Sequence, residues 1–183
     1  MQRALLREIR KQAGDEPAAA WLSGLSAGAA VELFHALLLP VSEIFRDPAA
    51  FAALDAALPE RPLRLLSAPC ASGEEAWSLA ALCRARPSRH SSRITGLDLL
   101  PEALATARAG RYPLTRLRRL SPAQRRLLFT GEDFSAGPAV INSQLRTCVD
   151  FRRQDLLAHF PPGPYDAILC RNLLIYLEPS AQR

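Results

Sequence analysis

The sequence predicts an α/β fold built on a doubly wound, mostly parallel sheet, and three observations predict it. After Pro59, short apolar runs of strand length alternate with helical stretches, the pattern of strands joined by crossover helices. The first of these runs leads into a loop of small residues, where backbone can approach a ligand closely. Acidic residues then recur just past the ends of successive strands, the rim at which open α/β sheets bind ligands. A small N-terminal helical domain over 1–46 and a small antiparallel β insertion within about 127–150 complete the expected architecture, with 47–183 as the main domain.

The N-terminal part reads as helical throughout. Arg3, Arg7, Arg10 and Lys11 share one stripe, with Leu5, Leu6, Ile9 and Ala13 on the opposite face, and Gly14 stops that helix. Pro17 suits the first turn of a second helix carrying Trp21 and Leu22, and a third apolar stretch runs to Pro40. Asp47 and Pro48 form a cap and a first-turn proline for a helix through Phe51, Leu54 and Leu58. LRLLS (63–67) is the first strand, GEEAWSLAALCRA the helix after it, and ITGLDL (94–99) the second strand. Pro101 opens EALATARA, which Gly110 closes, and Ser121-Pro122 starts an arginine-rich helix to about Phe129. CVDFRRQDL (148–156) is the third core strand, and the PPGP turn delivers YDAILCRN, the fourth.

Composition narrows the class. A chain of 183 residues and 20.0 kDa fits one ordinary domain with a small attachment. Hydrophobic residues at 49% against 22% charged exclude a disordered chain. No apolar run approaches the ~20 residues of a membrane span, and MQRALLREIRKQAG has too many charges for a secretory signal. Four cysteines without a C-x-x-C pair, and three histidines, argue against a metal site and for reduced thiols in a cytoplasmic protein. The net charge of +5 is almost wholly arginine, since Lys11 is the only lysine, and Arg111, Arg116, Arg118, Arg119, Arg125 and Arg126 crowd one stretch. Such a stretch fits an anionic partner, either nucleic acid or an acidic protein surface, or is simply a solvated face. An aromatic content of 7% is low for base stacking.

The candidate site begins in SAPCASGEEAWS, residues 67–78. Only Gly73 is glycine there, and Glu74 and Glu75 in the first helical turn would repel a pyrophosphate. They suit a cationic, hydroxylated ligand such as S-adenosylmethionine; favourable placement of acids at a helix N-terminus is the alternative. Asp98 ends the second strand, where an acid can accept hydrogen bonds from ribose hydroxyls, or simply form a turn. Asp155 holds a similar place after the third strand, as an acceptor for an adenine amino group or as a cap.

Taken together, IFRDPAAF, SAPCASGEEAWSLA, GLDLLPEALATARAGRY, FRRQDLL and YDAILCRNLLIY resemble the CheR-type methyltransferases, which esterify glutamates on bacterial chemoreceptors using S-adenosylmethionine. The resemblance covers nearly the whole chain and is most specific in S-A-P-C-x-S-G-E-E and C-R-N-L-L-I-Y. It implies a Rossmann-like methyltransferase domain that converts S-adenosyl-L-methionine to S-adenosyl-L-homocysteine, with chemoreceptor cytoplasmic helices as partners and neither nucleic acid nor membrane insertion. By the same resemblance, Ser42, Arg46, Ala68, Glu74, Asp98, Asp155, Leu156, Arg171 and Asn172 would contact the cofactor. Arg46 and Tyr176 would stand at the reaction centre. The chain departs from the family where PVSEIFR (40–46) replaces the usual N-E-T-x-F-F-R: Pro40 and Val41 lose an amide and a carboxylate, while Ser42, Phe45 and Arg46 remain. It also reads as shortened at both ends, with YDAILC expected as a sheet edge. A weakly active or inactive module that binds the cofactor, its product or receptors is the alternative to the enzyme; a nucleic-acid binder ranks below both.

Overall fold

The computed structural model describes residues 14, 20, 24, 26, 42–131, 137–156, 158–159 and 161–171. The chain divides into two compact units, Met1–Val41 and Ser42–Arg183. The expected N-terminal helices lie almost wholly outside the described residues; of them, Ala20 and Gly24 are helical.

In the second unit, α1 (Pro48–Ala57) starts where Asp47 accepts a hydrogen bond from the Ala50 amide and Pro48 fills the first turn. Its Phe51 is buried and meets Phe45 edge-to-face at 5.2 Å. Next come β1 (Arg64–Ser67), α2 (Glu74–Arg84) and β2 (Arg93–Asp98), then α3 (Pro101–Ala109) and β3 (Arg111–Tyr112). A 3₁₀ turn at Leu114–Leu117 precedes α4 (Pro122–Leu128), whose Ser121 and Gln124 form a reciprocal capping box. Then follow β4 (Ala139–Val140), α5 (Ser143–Arg146), β5 (Val149–Arg153) and β6 (Ala167–Leu169). Each strand and helix predicted between 47 and 171 is present, to within a residue or two at most ends, although β5 and β6 stop about three residues short of the predicted strands; the sequence does not predict β3 or α5.

The main sheet is parallel throughout, in the order β5-β2-β1-β6. Successive residues of β1 serve opposite faces: Leu65 joins the large core with α1, α2 and α3, while Leu66 joins Leu97 and Ala68 on the other side. The central strands β1 and β2 are thus buried on both faces, whereas on the Leu66 side Asp150 and Arg152 of β5 and Ile168 of β6 are exposed. Helix α2 is the centrepiece, with Glu74 and every residue from Ala76 to Cys83 buried. Gly96 is needed because a Cβ there would stand 2.6 Å from the Phe151 ring, which closes over β2 and meets Trp77 edge-to-face at 5.2 Å. The antiparallel insertion exists, but its first strand comes from farther back than 127: β3 pairs with β4, and Phe129 bridges Ile141.

This order fixes where a ligand can sit. From β1 the chain moves outward through β2 to β5, then returns to the other side of β1 as β6. The loops leaving β1 and β6 therefore diverge, and the crevice between them opens at the carboxyl ends of the strands.

Candidate functional site

The loop after β1 is held from several sides. The Ala68 amide donates to the Leu169 carbonyl at 2.9 Å and the Cys70 amide to the Leu97 carbonyl at 2.7 Å, so the loop is stitched to both neighbouring strands. Asp98, at the tip of β2 and only 6% exposed, accepts from the Ala71 amide at 2.7 Å through one carboxylate oxygen and from the Leu100 amide at 3.0 Å through the other. It therefore shapes both loops that frame the rim. The Tyr112 hydroxyl donates to the Ser72 carbonyl at 2.6 Å from the far side. Gly73 turns into α2 at φ 91, and a Cβ there would lie 2.7 Å from the Ala107 Cβ.

The two adjacent acids that open α2 have opposite fates. Glu74 is completely buried: Ser72 Oγ donates to one of its oxygens at 2.7 Å and Arg116 Nη1 to the other. Glu75 turns toward the β1/β6 crevice, where Ser67 Oγ donates to it at 2.7 Å and Arg171 Nε lies 3.8 Å from its second oxygen. Burial pushes the Glu75 carboxyl above its usual range, against the opposing pull of the Ser67 hydroxyl and of the positive charges of Arg171 and Arg46.

Those arginines arrive from opposite directions. Arg171 follows β6 and donates through Nη1 to the Arg46 carbonyl at 2.8 Å, with Nη2 3.9 Å from the Asp47 carboxylate. Arg46 sits in the segment leading into α1, between Phe45 at φ 51 and Asp47 at φ 65. Ala71 in the cofactor loop has φ 48. Left-handed backbone costs a non-glycine residue of order 1–3 kcal/mol, and its concentration around one crevice points to a site that holds its geometry under constraint. The Phe45 amide anchors the segment by donating to Ser78 Oγ at 2.8 Å.

Of the remaining predicted residues, Ala68 is buried in the loop and Ser42 lends its carbonyl to Arg116 Nη1 at 3.5 Å. Asp155 is exposed just beyond β5, next to Gln154, whose amide donates to the Asp98 carbonyl at 3.0 Å. Leu156 is half-buried against the Leu66, Ala68 and Leu97 cluster. Asn172 and Tyr176 lie outside the described residues. The structure thus gathers Arg46, Ala68, Asp98 and Arg171 at the crevice, with Asp155 and Leu156 at its β5 side; Glu74, predicted to contact the cofactor, is instead wholly buried behind the loop against Ser72 and Arg116. Sequence reading judged both Glu74 and Glu75 suited to a cationic ligand but placed only Glu74 at the cofactor, and it passed over Ser67, Tyr112 and the specific part taken by Arg116. For Glu75 a signal was present, since two consecutive acids on a helix point about 100° apart and cannot both enter the core.

The chemistry of the donor set fits S-adenosylmethionine. Two carboxylates on the rim, a small-residue loop and no run of glycines favour a phosphate-free nucleoside carrying positive charge over a dinucleotide. Among the described residues, no group of three or more His, Cys, Asp or Glu side chains could hold a metal ion, and no helix is long and apolar enough to cross a membrane.

Comparison with known proteins agrees with this geometry. Residues 40–183 match the family profile described as CheR methyltransferase, SAM binding domain. A chemotaxis protein methyltransferase of Vibrio parahaemolyticus is 36% identical over 149 residues, covering 74% of this chain and 54% of the relative. Chemotaxis protein methyltransferase 2 of Pseudomonas aeruginosa is 39% identical over 127 residues, covering 67% and 45%. A chemotaxis protein methyltransferase of Listeria monocytogenes is 32% identical over 154 residues, covering 79% and 57%. The chain spans about half the length of the curated relatives it matches.

Proposed function

The chain belongs to the CheR methyltransferase family, and on that premise we propose that it methylates glutamate side chains of chemoreceptor signalling helices, in the cytoplasm, using S-adenosylmethionine. The observation that carries the reading is the meeting of Glu75, Arg46 and Arg171 in the crevice beside β1, one strand away from Asp98.

When bound, S-adenosylmethionine supplies an electrophilic methyl group on a positively charged sulfur. Asp98 and Asp155 would hold its ribose and adenine, Leu156 and Ala68 would pack against it, and Glu75 would offset its positive charge. Glu74 supports the loop from behind, and Asn172 would line the crevice beyond Arg171. The accepting glutamate needs no general base, because a carboxyl with a reference pKa of about 4.3 is already ionised at neutral pH. The protein's task is alignment and exclusion of water. Arg46 would orient a carboxylate at the junction of α1 with the crevice, and by resemblance to the family Tyr176 would stand beside the reacting centre.

Methyl transfer to a purified receptor signalling domain tests the reading. Arg46→Ala and Tyr176→Phe are each expected to lower the rate by about 10²-fold or more, with cofactor binding retained in Tyr176→Phe; unchanged rates in both overturn the assigned roles. The PVSEIFR departure favours one competing reading, a module that binds without turnover. It predicts calorimetric uptake of S-adenosylhomocysteine by a sample that transfers no methyl group.

A further inference from the structure

We infer that Arg116 is a positioning residue that decides which of the two adjacent acids of α2 faces the cofactor. The inference rests on the proposed function and deepens it. Arg116 belongs to the 3₁₀ turn at Leu114–Leu117, fixed to the core through Leu117, which is 2% exposed. From there its Nη1 donates to Glu74 Oε1 and also lies 3.4 Å from Ser72 Oγ and 3.5 Å from the Ser42 carbonyl. One nitrogen thus joins three stretches far apart in sequence: the approach to α1, the loop after β1, and the segment after β3. Tyr112 grips the same loop at the Ser72 carbonyl, so the segment from 112 to 116 holds it at two points.

Glu74 has no exposed surface, and a buried carboxylate deprived of its cation is driven toward water. At the first turn of a helix, reaching water means rotation or fraying. Successive residues are about 100° apart around the helix axis, so a rotation that releases Glu74 carries Glu75 away from Ser67 and Arg171. Arg116 itself stands on the Glu74 side and acts on the crevice through that carboxylate. It is a positioning residue and not a ligand of the cofactor.

The test is calorimetric titration of the full 183-residue chain with S-adenosylhomocysteine, comparing wild type, Arg116→Met and the double variant Arg116→Met/Glu74→Gln. Arg116→Met, which strands the Glu74 charge, is expected to bind about tenfold more weakly or worse. The double variant removes the stranded charge and is expected to return to within about threefold of wild type. A folded Arg116→Met protein that melts earlier but binds as tightly as wild type has lost only stability, and overturns the inference. Equal loss in the single and double variants also overturns it, because the guanidinium would then be touching the ligand. If Arg116→Met does not fold, the double variant decides alone: affinity near wild type supports the inference, and a tenfold loss overturns it. Wild type that takes up no S-adenosylhomocysteine refutes the functional reading itself; wild-type binding matched by Arg116→Met refutes this inference only.

Discussion

At the end of the sheet where the strands begin, Arg89 is 1% exposed and meets two carboxylates and three backbone carbonyls. At the end where they finish, Glu74 and Asp98 are buried and Glu75 is partly buried, but their partners include two half-exposed arginines and strained loop backbone. Arg89 fastens the end of α1 and the turn after it (Asp55, Leu58, Pro59, Glu60) to the turn before β2, and it is saturated by groups of the protein itself. The rim carboxylates are held by amides and hydroxyls, and their balancing positive charge comes from mobile-length side chains at a crevice. Buried charge satisfied by the carboxylates and carbonyls of one adjoining segment serves the fold; buried charge balanced across a cleft is arranged for a ligand.

Substitution at each end sharpens that contrast. Arg89→Met leaves Asp55 with Arg86 alone and strips three backbone carbonyls of their donor, and should cost about 3–5 kcal/mol in urea unfolding. The affinity of the remaining folded protein for S-adenosylhomocysteine should not change. Gly73→Ala, which forces a side chain into φ 91 and against Ala107, should cost about 1–3 kcal/mol and also weaken that affinity, because it displaces the loop itself.

The smallest effects are in pH dependence, and they have opposite signs at the two ends. Burial raises the Asp55 carboxyl, but the hydrogen bonds and charges of Arg86 and Arg89 outweigh it and hold the group below its usual range. Native Asp55 thus takes up a proton less readily than in the unfolded chain. Its contribution is complete above about pH 4 and is lost as the pH falls through the depressed native value. Glu75 is the reverse: its native carboxyl is raised, so its contribution is complete below about pH 4 and is lost as the pH rises through the raised value. Glu75→Gln should therefore be more stable than the parent at pH 7, with the gain vanishing near pH 4, while its affinity for the cationic cofactor falls. A gain in stability coupled to a loss of binding is what separates a ligand-facing acid from a structural one.

Most of the fold was legible in the sequence because its signals are local. Proline at helix starts, Ser121 ahead of Pro122 and apolar runs of strand length each act within a few residues, and the elements follow them. The β insertion was only half legible. Arg111–Tyr112 is too short to show a strand period, and becomes a strand through pairing with Ala139–Val140. At the site, Asp98 could be read from its place at a strand end. The division of labour between Glu74 and Glu75 could not, because it depends on Arg116, 42 residues farther along, reaching back to one of two neighbouring acids. In the sequence that arginine is one of a basic crowd, and only tertiary packing singles it out.

The central claim is that carboxylates at the carboxyl end of the sheet hold a positively charged nucleoside, and calorimetric titration of Asp98→Ala with S-adenosylmethionine beside wild type addresses it most directly. The account predicts uptake by wild type and, in Asp98→Ala protein shown to be folded, affinity weaker by at least about tenfold. Equal affinity in the two proteins would contradict it.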